Sequence, residues 1–266
     1  MTWWVLVKKE WQESFFRFVL GLVFIILSFF LLTNLMEQQS PFIVILGAAL
    51  IFFHIFYLFF TLLASLRKEW KDKTSYVWMS IPQPGWLLLG AKFTVAVVQL
   101  ISSLGLTMLL MNLLLNRTSN LELNEINVVF DVILDLYRET GPWLFLMIVH
   151  GAVQLGLAAL FIFLMDKVIR PMGWLVAIGI SIVFNIIFSW LKGTIVYQTL
   201  TTWGPLKVFN DIPERLGLDT ALMIPDTHEQ DQFMTLYTGE IIAESLVLIG
   251  VFLLLSWMLD NKVEAE

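Results

Sequence analysis

The segment "RKEWKDKTSYVWMSIPQPGWLLLGAK", residues 67–92, separates two long apolar runs and holds five of the sixteen Lys and Arg residues of the 266-residue chain. It also contains three Trp residues and a Pro-Gln-Pro turn. Cations, aromatic side chains and a turn between two apolar runs are typical of a structured connection at a membrane surface. The apolar runs on both sides of this segment therefore decide the fold.

The composition of the chain is that of an integral membrane protein. Hydrophobic residues make up 58% of the chain and charged residues only 14%, whereas soluble domains carry about 25% charged residues. A soluble core of this size cannot hide 22 Phe residues together with the other apolar side chains, so lipid must solvate part of the surface. The chain has no Cys, which excludes disulfides, and its three His residues form no clustered metal motif.

Six segments are apolar over the roughly 20 residues that a helix needs to cross a bilayer. Polar breakers at 37–41, 139–142 and 166–171 separate several of them. The sequence therefore predicts an all-α integral membrane protein in which residues 1–266 form a single transmembrane domain. The predicted spans are 18–36, 42–66, 94–115, 143–165, 172–191 and 239–259.

The distribution of charge predicts that both termini lie in the cytoplasm. Six spans place the two termini on the same side of the membrane, and eleven of the sixteen cations then lie on that side. Cytoplasmic loops carry an excess of Lys and Arg. Most of the acidic residues fall on the opposite side, so the net charge of −6 reflects an acidic outer face.

The first seventeen residues predict an amphipathic interfacial helix. Trp4, Val7, Trp11 and Phe15 recur at three- and four-residue steps, and polar residues occupy the other side. Because Trp and basic residues suit the headgroup layer, residues 1–17 are expected to lie flat on the cytoplasmic surface. The alternative is that these residues extend the first span into the cytoplasm.

Residues 67–92 predict a second amphipathic helix on the cytoplasmic side. Trp70, Val77 and Trp78 lie on one apolar stripe, and the Pro-Gln-Pro turn at 82–84 ends the helix. The alternative is a charged loop that only sets the orientation of the protein. Such a loop needs neither an apolar stripe nor a Pro-x-Pro stop.

Two outer segments are expected to be folded. Residues 116–141 include an apolar stripe that predicts a short helix on the outer leaflet. Residues 192–238 are too long for an idle connection, so helical structure or a lid over an outer opening is expected before the last span.

This plan resembles the permease subunits of type-2 ATP-binding-cassette transporters, a family that includes many bacterial exporters. The likeness covers the order of predicted helices and rests locally on "LRKEWKDKTSYVWMSIPQPGWLLLGAKF", residues 66–93. Family members show an acidic residue soon after span two, an apolar helix, a Pro turn, and a Lys at the entry to span three. Glu69, the helix at 70–80, Pro82 and Lys92 match these positions.

The resemblance implies an ATP-driven permease in the bacterial cell membrane that exports a peptide, an antibiotic or a lipid. Its partners would be two cytoplasmic ATPase subunits, a second permease, identical or related, and membrane lipid, with no nucleic acid. The chain lacks a phosphate-binding GxxxxGKS or GxxxxGKT motif, so the partner ATPase would bind ATP and Mg²⁺. The chain itself is expected to carry no cofactor, no metal and no catalytic residue.

The resemblance also implies where the ATPase docks. The helix between spans two and three would be the coupling helix, which fits a groove on the ATPase, and Trp4 and Trp11 of the N-terminal helix would approach the same partner. Aromatic anchors would fill the groove and charges would fix the register at its rim. The expected docking residues are Glu69, Trp70, Lys71, Asp72, Lys73, Val77, Trp78 and Pro82.

Polar residues inside the spans are candidates for the translocation path, because such residues are rare and often functional. Two acidic residues one turn apart near the outer start of span six would favour a cationic substrate. The alternative is structural: Glu244 pairs with a neighbouring span, and uncharged groups, including His150 and Gln154, tie helices together by hydrogen bonds. The candidates are Glu240, Glu244, Gln99 and Asn185.

Other functions remain as alternatives. A membrane-embedded enzyme would need convergent nucleophiles or paired acids within the spans, and the sequence offers no such motif. A secondary transporter driven by an ion gradient would be supported by inverted repeats in the sequence. No such repeat is evident between residues 1–115 and 143–259. A non-transporting scaffold or sensor would not need a coupling helix.

Overall fold

The computed structural model describes residues 3–36, 42–119, 126–169, 171–206 and 235–263. These residues form α-helices and a small antiparallel sheet in which β1 (Pro205–Leu206) pairs with β2 (Leu236–Tyr237). The helices are α1 Trp3–Met36, α2 Phe42–Phe53, α3 Tyr57–Lys71, α4 Ser75–Met79, α5 Gly85–Ser119, α6 Ile126–Val168, α7 Gly173–Lys192, α8 Ile195–Thr201 and α9 Thr238–Lys262.

Six helical segments in these ranges are long and apolar enough to cross a membrane. They agree in order with the six predicted spans, which confirms an all-α, multi-pass membrane protein. The segments are Trp3–Leu35, Ile43–Lys71, Gly85–Arg117, Ile133–Val168, Gly173–Lys192 and Thr238–Lys262.

The centre of the protein is built by α5 and α6. α5 packs against α1, α3 and α6, while α6 packs against α3, α7 and α9. Fully buried Leu residues recur every four positions in α3, α5 and α6, so each of these helices packs one apolar stripe toward the centre. Gly156 of α6 lets α3 approach closely, because a Cβ there would lie 3.0 Å from the Leu58 Cβ.

Span two consists of α2 and α3 joined by a 3₁₀ turn at His54–Phe56. The His54 ring is buried, with Nδ1 2.8 Å from the Leu50 carbonyl oxygen and Nε2 3.3 Å from the Thr107 hydroxyl of α5. His54 therefore ties span two to span three.

The structure does not separate an interfacial helix at 1–17 from the first span. α1 is continuous from Trp3 to Met36 and is about 50 Å long, compared with roughly 30 Å for a bilayer core. No Pro or Gly lies before Gly21 to break it, and Glu10 is buried by its contact with α5. The prediction of a separate flat helix is corrected in favour of the alternative, an extended first span.

The predicted break at 139–142 is also corrected, because α6 continues through Pro142. Packing on α5 holds the preceding turns: Leu134 is buried, and the Tyr137 hydroxyl donates a hydrogen bond of 2.7 Å to the Met108 carbonyl oxygen. These contacts offset the hydrogen bond that Pro removes. The outer segment 116–141 is therefore mostly the end of α5 and the start of α6, and residues 120–125 lie outside the described ranges.

The predicted outer segment 192–238 begins with α8 and the first strand, and the second strand leads into α9. Gly204 has a φ of 65° at the entrance to β1, a conformation that favours Gly. The lid expected in this segment falls on 207–234, which lie outside the described residues.

Candidate functional site

The single helix predicted at 70–80 is replaced in the structure by the end of α3 and a separate short helix. α3 continues to Lys71, α4 contains only the five residues Ser75–Met79, and α5 begins at Gly85. The segment from Asp72 to Pro84 is therefore a compact bridge between two spans, and we call it the connecting segment.

A helix-ending turn fixes the start of the connecting segment. The Thr74 N–H donates to the Glu69 carbonyl oxygen at 2.9 Å and the Lys73 N–H to the Trp70 carbonyl oxygen at 3.3 Å, the bonding pattern of a Schellman motif. Lys73 takes the left-handed position with φ 56°. The Thr74 hydroxyl also donates to the Glu69 carboxylate at 2.6 Å, so the turn helps to fix the position of the Glu69 side chain.

A buried ion-pair cluster lies directly beneath this turn and joins three helices. Lys92 Nζ of α5 donates to Glu10 Oε1 of α1 at 2.8 Å and to Glu69 Oε1 of α3 at 3.0 Å. It also donates to the Ser65 hydroxyl at 3.0 Å, and Lys9 Nζ reaches the same Glu69 oxygen at 3.0 Å. Only 3% of Lys92, 6% of Glu10 and 3% of Glu69 is exposed. We call these residues, with Lys9 and Ser65, the ion-pair cluster.

The ion-pair cluster balances two carboxylates with two ammonium groups. Buried charges are tolerated when each has a partner and its remaining hydrogen bonds are filled. The half-exposed pair of Lys68 and Glu13, at 2.8 Å, continues the cluster toward solvent, where an ion pair contributes about 0–1 kcal/mol. The buried contacts therefore fix α1, α3 and α5 to one another, and the rim adds little.

Trp78 packs α4 onto the ion-pair cluster. Its side chain is 2% exposed, and Lys92 Nζ lies 5.2 Å from its ring centroid. Trp70 meets Trp78 edge-on at 6.2 Å and Phe163 of α6 at 5.0 Å. Glu69 and Trp78 were expected on a docking surface, and this assignment is corrected because both side chains face inward. Glu69 forms an ion pair with Lys92, and Trp78 packs against Trp70.

Of the other predicted docking residues, Trp70 is half-buried, and those that face outward are joined by one residue that sequence reasoning missed. Lys71, Asp72, Lys73 and Pro82 are exposed. Val77 is 63% exposed and its neighbour Tyr76 is 67% exposed. Tyr76 lies off the apolar stripe through Trp70 and Trp78, which is why the stripe did not mark it.

The end of the connecting segment is fixed to span six. The Gly85 N–H, the first of α5, donates to Asp260 Oδ1 of α9 at 2.8 Å. A Cβ at Gly85 would lie 2.7 Å from the Ser256 carbonyl oxygen and 2.8 Å from the same Asp260 oxygen. Sequence reasoning missed Asp260, whose only signal is that it is the first acid after the last apolar run.

The four polar residues proposed for a translocation path separate into three places. Gln99 is 1% exposed and donates to the Ser14 hydroxyl of α1 at 2.7 Å, so it ties two helices together. Asn185 is exposed on α7 without a hydrogen-bond partner among the described residues. Only the remaining two residues, Glu240 and Glu244, come together.

Glu240 and Glu244 belong to a second polar cluster, which links α6, α7 and α9 near the opposite end of the spans. Lys192 Nζ donates to Glu240 Oε1 at 3.1 Å and also to Glu244. Glu244 Oε2 lies 2.8 Å from His150 Nε2, in agreement with the alternative that Glu244 pairs with a neighbouring span. Sequence reasoning missed Lys192, which it placed in an outer loop.

The two Trp residues assigned to the N-terminal helix lie apart from both clusters. Trp4 is 69% exposed, and the ring of Trp11 lies 6.3 Å from Phe15 and 6.0 Å from Phe18. Both positions suit contact with a bilayer surface.

The fold and the ion-pair cluster define a class of protein: a six-span helical membrane protein with a rigidly held connection between spans two and three. Comparison of the chain with protein-family models, curated proteins and solved structures finds no match. Within the described residues no group of three or more His, Asp and Glu could hold a metal ion.

Proposed function

We propose that the chain is the permease subunit of a type-2 ATP-binding-cassette exporter, forming the translocation path and drawing energy from a separate ATPase. The observation that supports this proposal most is the connecting segment. It presents Tyr76 and Val77 outward while its two ends are bonded to other spans. A short helix held at both ends can receive a push from a partner without bending away.

The contacts beneath the connecting segment supply a mechanical route into the membrane. At one end, Glu69 passes a displacement to Lys92 and Glu10, and hence to α5 and α1. At the other end, Gly85 passes it to Asp260 of α9. Because buried, short polar contacts resist stretching, closure of an ATPase pair would move three spans together.

The proposal places both termini in the cytoplasm of a bacterial cell, with ATP and Mg²⁺ on the partner ATPase. The distribution of cations supports this orientation, since residues 67–92 hold five Lys and Arg and the N-terminal half of α1 holds Lys8, Lys9 and Arg17. Glu240, Glu244 and Lys192 would lie at the outer end of the path. The exported cargo would be a peptide, an antibiotic or a lipid.

The first test concerns docking of the ATPase on α4. The double variant Tyr76→Ala/Val77→Asp removes the outward aromatic side chain and introduces a charge, and loss of two contacts in the centre of an interface costs about 2–4 kcal/mol. We expect co-purification of an ATPase subunit with the affinity-tagged chain from its native membrane to fall by at least about tenfold. Quantitative mass spectrometry of the purified complex measures this fall.

The control for docking is Gln198→Ala, an exposed position on α8 near the opposite end of the spans, which should leave the ATPase bound. Both variants should melt at the wild-type temperature, because Tyr76 and Val77 are outside the core. An ATPase retained at the wild-type level in the double variant would contradict docking on α4. The absence of an ATPase from the wild-type preparation would contradict the transporter proposal itself.

A second copy of the chain is proposed to pack on α7. Only 6% of the most apolar stretch of α7 is buried, and Asn185 lies in its exposed surface with no partner among the described residues. An amide in lipid needs a hydrogen bond, and its group carries both a donor and an acceptor. Two copies related by a two-fold axis could therefore pair Asn185 with itself.

The variant Asn185→Leu is expected to weaken self-association of the chain. Interhelical hydrogen bonds in membranes contribute about 0.6–2 kcal/mol, which corresponds to roughly a three- to thirtyfold rise in the dimer dissociation constant. Förster transfer between labelled copies, diluted in lipid, measures this constant. Ile186→Leu, at an exposed apolar neighbour, is the matched control, and an equal effect of both changes would remove Asn185 from the interface.

A transporter driven by an ion gradient is the second candidate, favoured by the cluster of His150, Lys192 and Glu244. These titratable groups lie in three different spans, and such clusters mark proton or ion pathways. Transport by reconstituted protein that follows a proton gradient and needs no ATPase would support this candidate over the first.

A further inference from the structure

A cationic cavity of about 980 Å³ lies between the ends of α1, α3 and α6 and the start of α7. Its polar lining includes Arg17 of α1, three cations of α3 and Lys167 of α6, while Trp174 of α7 stands at its edge. Trp70, Lys71 and Asp72, which were expected to bind the ATPase, also line this cavity. It opens beside the connecting segment, on the side of α3 that faces α6.

The cavity carries an excess of positive charge. Five cations line it together with two carboxylates, those of Asp72 and Asp166. Lys68 is neutralised by Glu13 at 2.8 Å. Among the described residues, Arg17, Arg67, Lys71 and Lys167 have no carboxylate within ion-pair distance. Against the two Asp side chains, these four cations leave the cavity an excess of two positive charges. Such an arrangement attracts an anion.

The neighbouring aromatic groups leave a donor without an acceptor. Lys167 Nζ lies 5.8 Å from the centroid of the Trp70 ring and 5.7 Å from that of the Phe163 ring. The Trp70 indole Nε1 is buried and has no hydrogen-bond partner among the described residues, a condition that costs free energy because the donor has lost its water. An anionic oxygen beside the indole, after a small rotation of the ring, would relieve this cost.

The position of the cavity points to a lipid and not to a soluble anion. The spans that border it end at Lys71 and Val168 and begin at Gly173, so it lies at the boundary between the bilayer core and the headgroups. Its deeper wall is apolar, with Leu63 and Ile162. A cationic rim over an apolar wall matches a phosphate headgroup followed by the first carbons of its acyl chains.

We propose that this cavity binds the phosphate headgroup of an anionic glycerophospholipid. Arg67, Lys71 and Lys167 surround the phosphate, Trp70 donates one hydrogen bond to it, and Trp174 covers the glycerol backbone. The inference requires only that the protein lie in a bilayer, and it stands apart from transport and from the ATPase.

The experiment measures lipid binding to the full-length purified chain by native mass spectrometry. The protein in detergent is titrated with phosphatidylglycerol and, in parallel, with phosphatidylcholine. We expect the wild type to retain phosphatidylglycerol at least about tenfold more tightly, since each Lys or Arg near an anionic headgroup strengthens binding several-fold. The triple variant Arg67→Gln/Lys71→Gln/Lys167→Gln should lose this preference.

The matched control removes three cations outside the cavity, Lys8→Gln/Lys73→Gln/Lys262→Gln, and should keep the preference. The single variant Lys167→Gln should lose part of it, about threefold, and serves if the triple variant does not fold. An equal loss in the control would overturn the proposal by showing a general surface-charge effect. Displacement of the lipid by millimolar inorganic phosphate, or equal binding of both lipids, would also overturn it.

Discussion

Replacement of Lys92 by Met is expected to destabilise the protein by about 3–5 kcal/mol, the usual cost of removing one partner from a buried ion pair. Lys92 contacts both Glu10 and Glu69 and is 3% exposed. Without it two carboxylates remain at a buried position with only Lys9 and hydroxyl groups beside them. We expect the apparent melting temperature in detergent to fall by roughly 10 °C, by analogy with soluble proteins of this size.

Two controls separate charge from packing at this position. Lys8→Met removes an exposed ammonium group from α1 and should change the melting temperature by no more than about 1 °C. The triple variant Lys92→Met/Glu10→Gln/Glu69→Gln removes the charges together and should recover part of the loss, because neutral amides are cheaper to bury than unpaired carboxylates. A Lys92→Met protein as stable as the wild type would refute the ion-pair cluster.

The second large effect is expected for Gly85→Ala, which places a methyl group 2.7 Å from the Ser256 carbonyl oxygen and 2.8 Å from Asp260 Oδ1. The first of these atoms belongs to helix backbone and cannot move aside alone, so α5 and α9 must separate. Overpacking of this kind costs about 1–3 kcal/mol, and the separation would lengthen the Gly85–Asp260 hydrogen bond. We expect a lower melting temperature and, if the proposed transport holds, weaker stimulation of the ATPase by the permease.

Gly105→Ala is the matched control, because it makes the same change in the same helix. Among the described residues nothing lies within 4 Å of a Cβ built at Gly105, and Ala favours a helix over Gly by about 1 kcal/mol. This variant should be as stable as the wild type or more stable. If Gly85→Ala behaves in the same way, then the end of the connecting segment is not pressed against α9.

The number, order and approximate bounds of the spans could be predicted because they depend on a property of single segments. Each crossing needs an apolar run of sufficient length, and six such runs are visible. The predicted bounds of the spans were wrong where packing between helices decides where a helix begins or ends. α6 continues through Pro142 because Tyr137 and Leu134 are held on α5, and nothing in the local sequence announces that contact.

The candidate site could be predicted only in outline. The pattern around Glu69 and Trp78 marked the connection between spans two and three as structured, but it did not show which side chains face inward. That depends on Lys92, 23 residues further along, and on Glu10, which lies 82 residues from Lys92. Periodicity assigns residues to a stripe, and the partner of the stripe is set by the tertiary fold.

The order in which the cluster is synthesised has a consequence for assembly. Glu10 leaves the ribosome in the first helix, but its partner follows 82 residues later, a delay of about 4–16 s at ordinary elongation rates. During that interval the first two spans carry acids whose main counter-charge does not yet exist. The nascent chain can therefore close the ion-pair cluster between α1 and α3 only when the third span arrives.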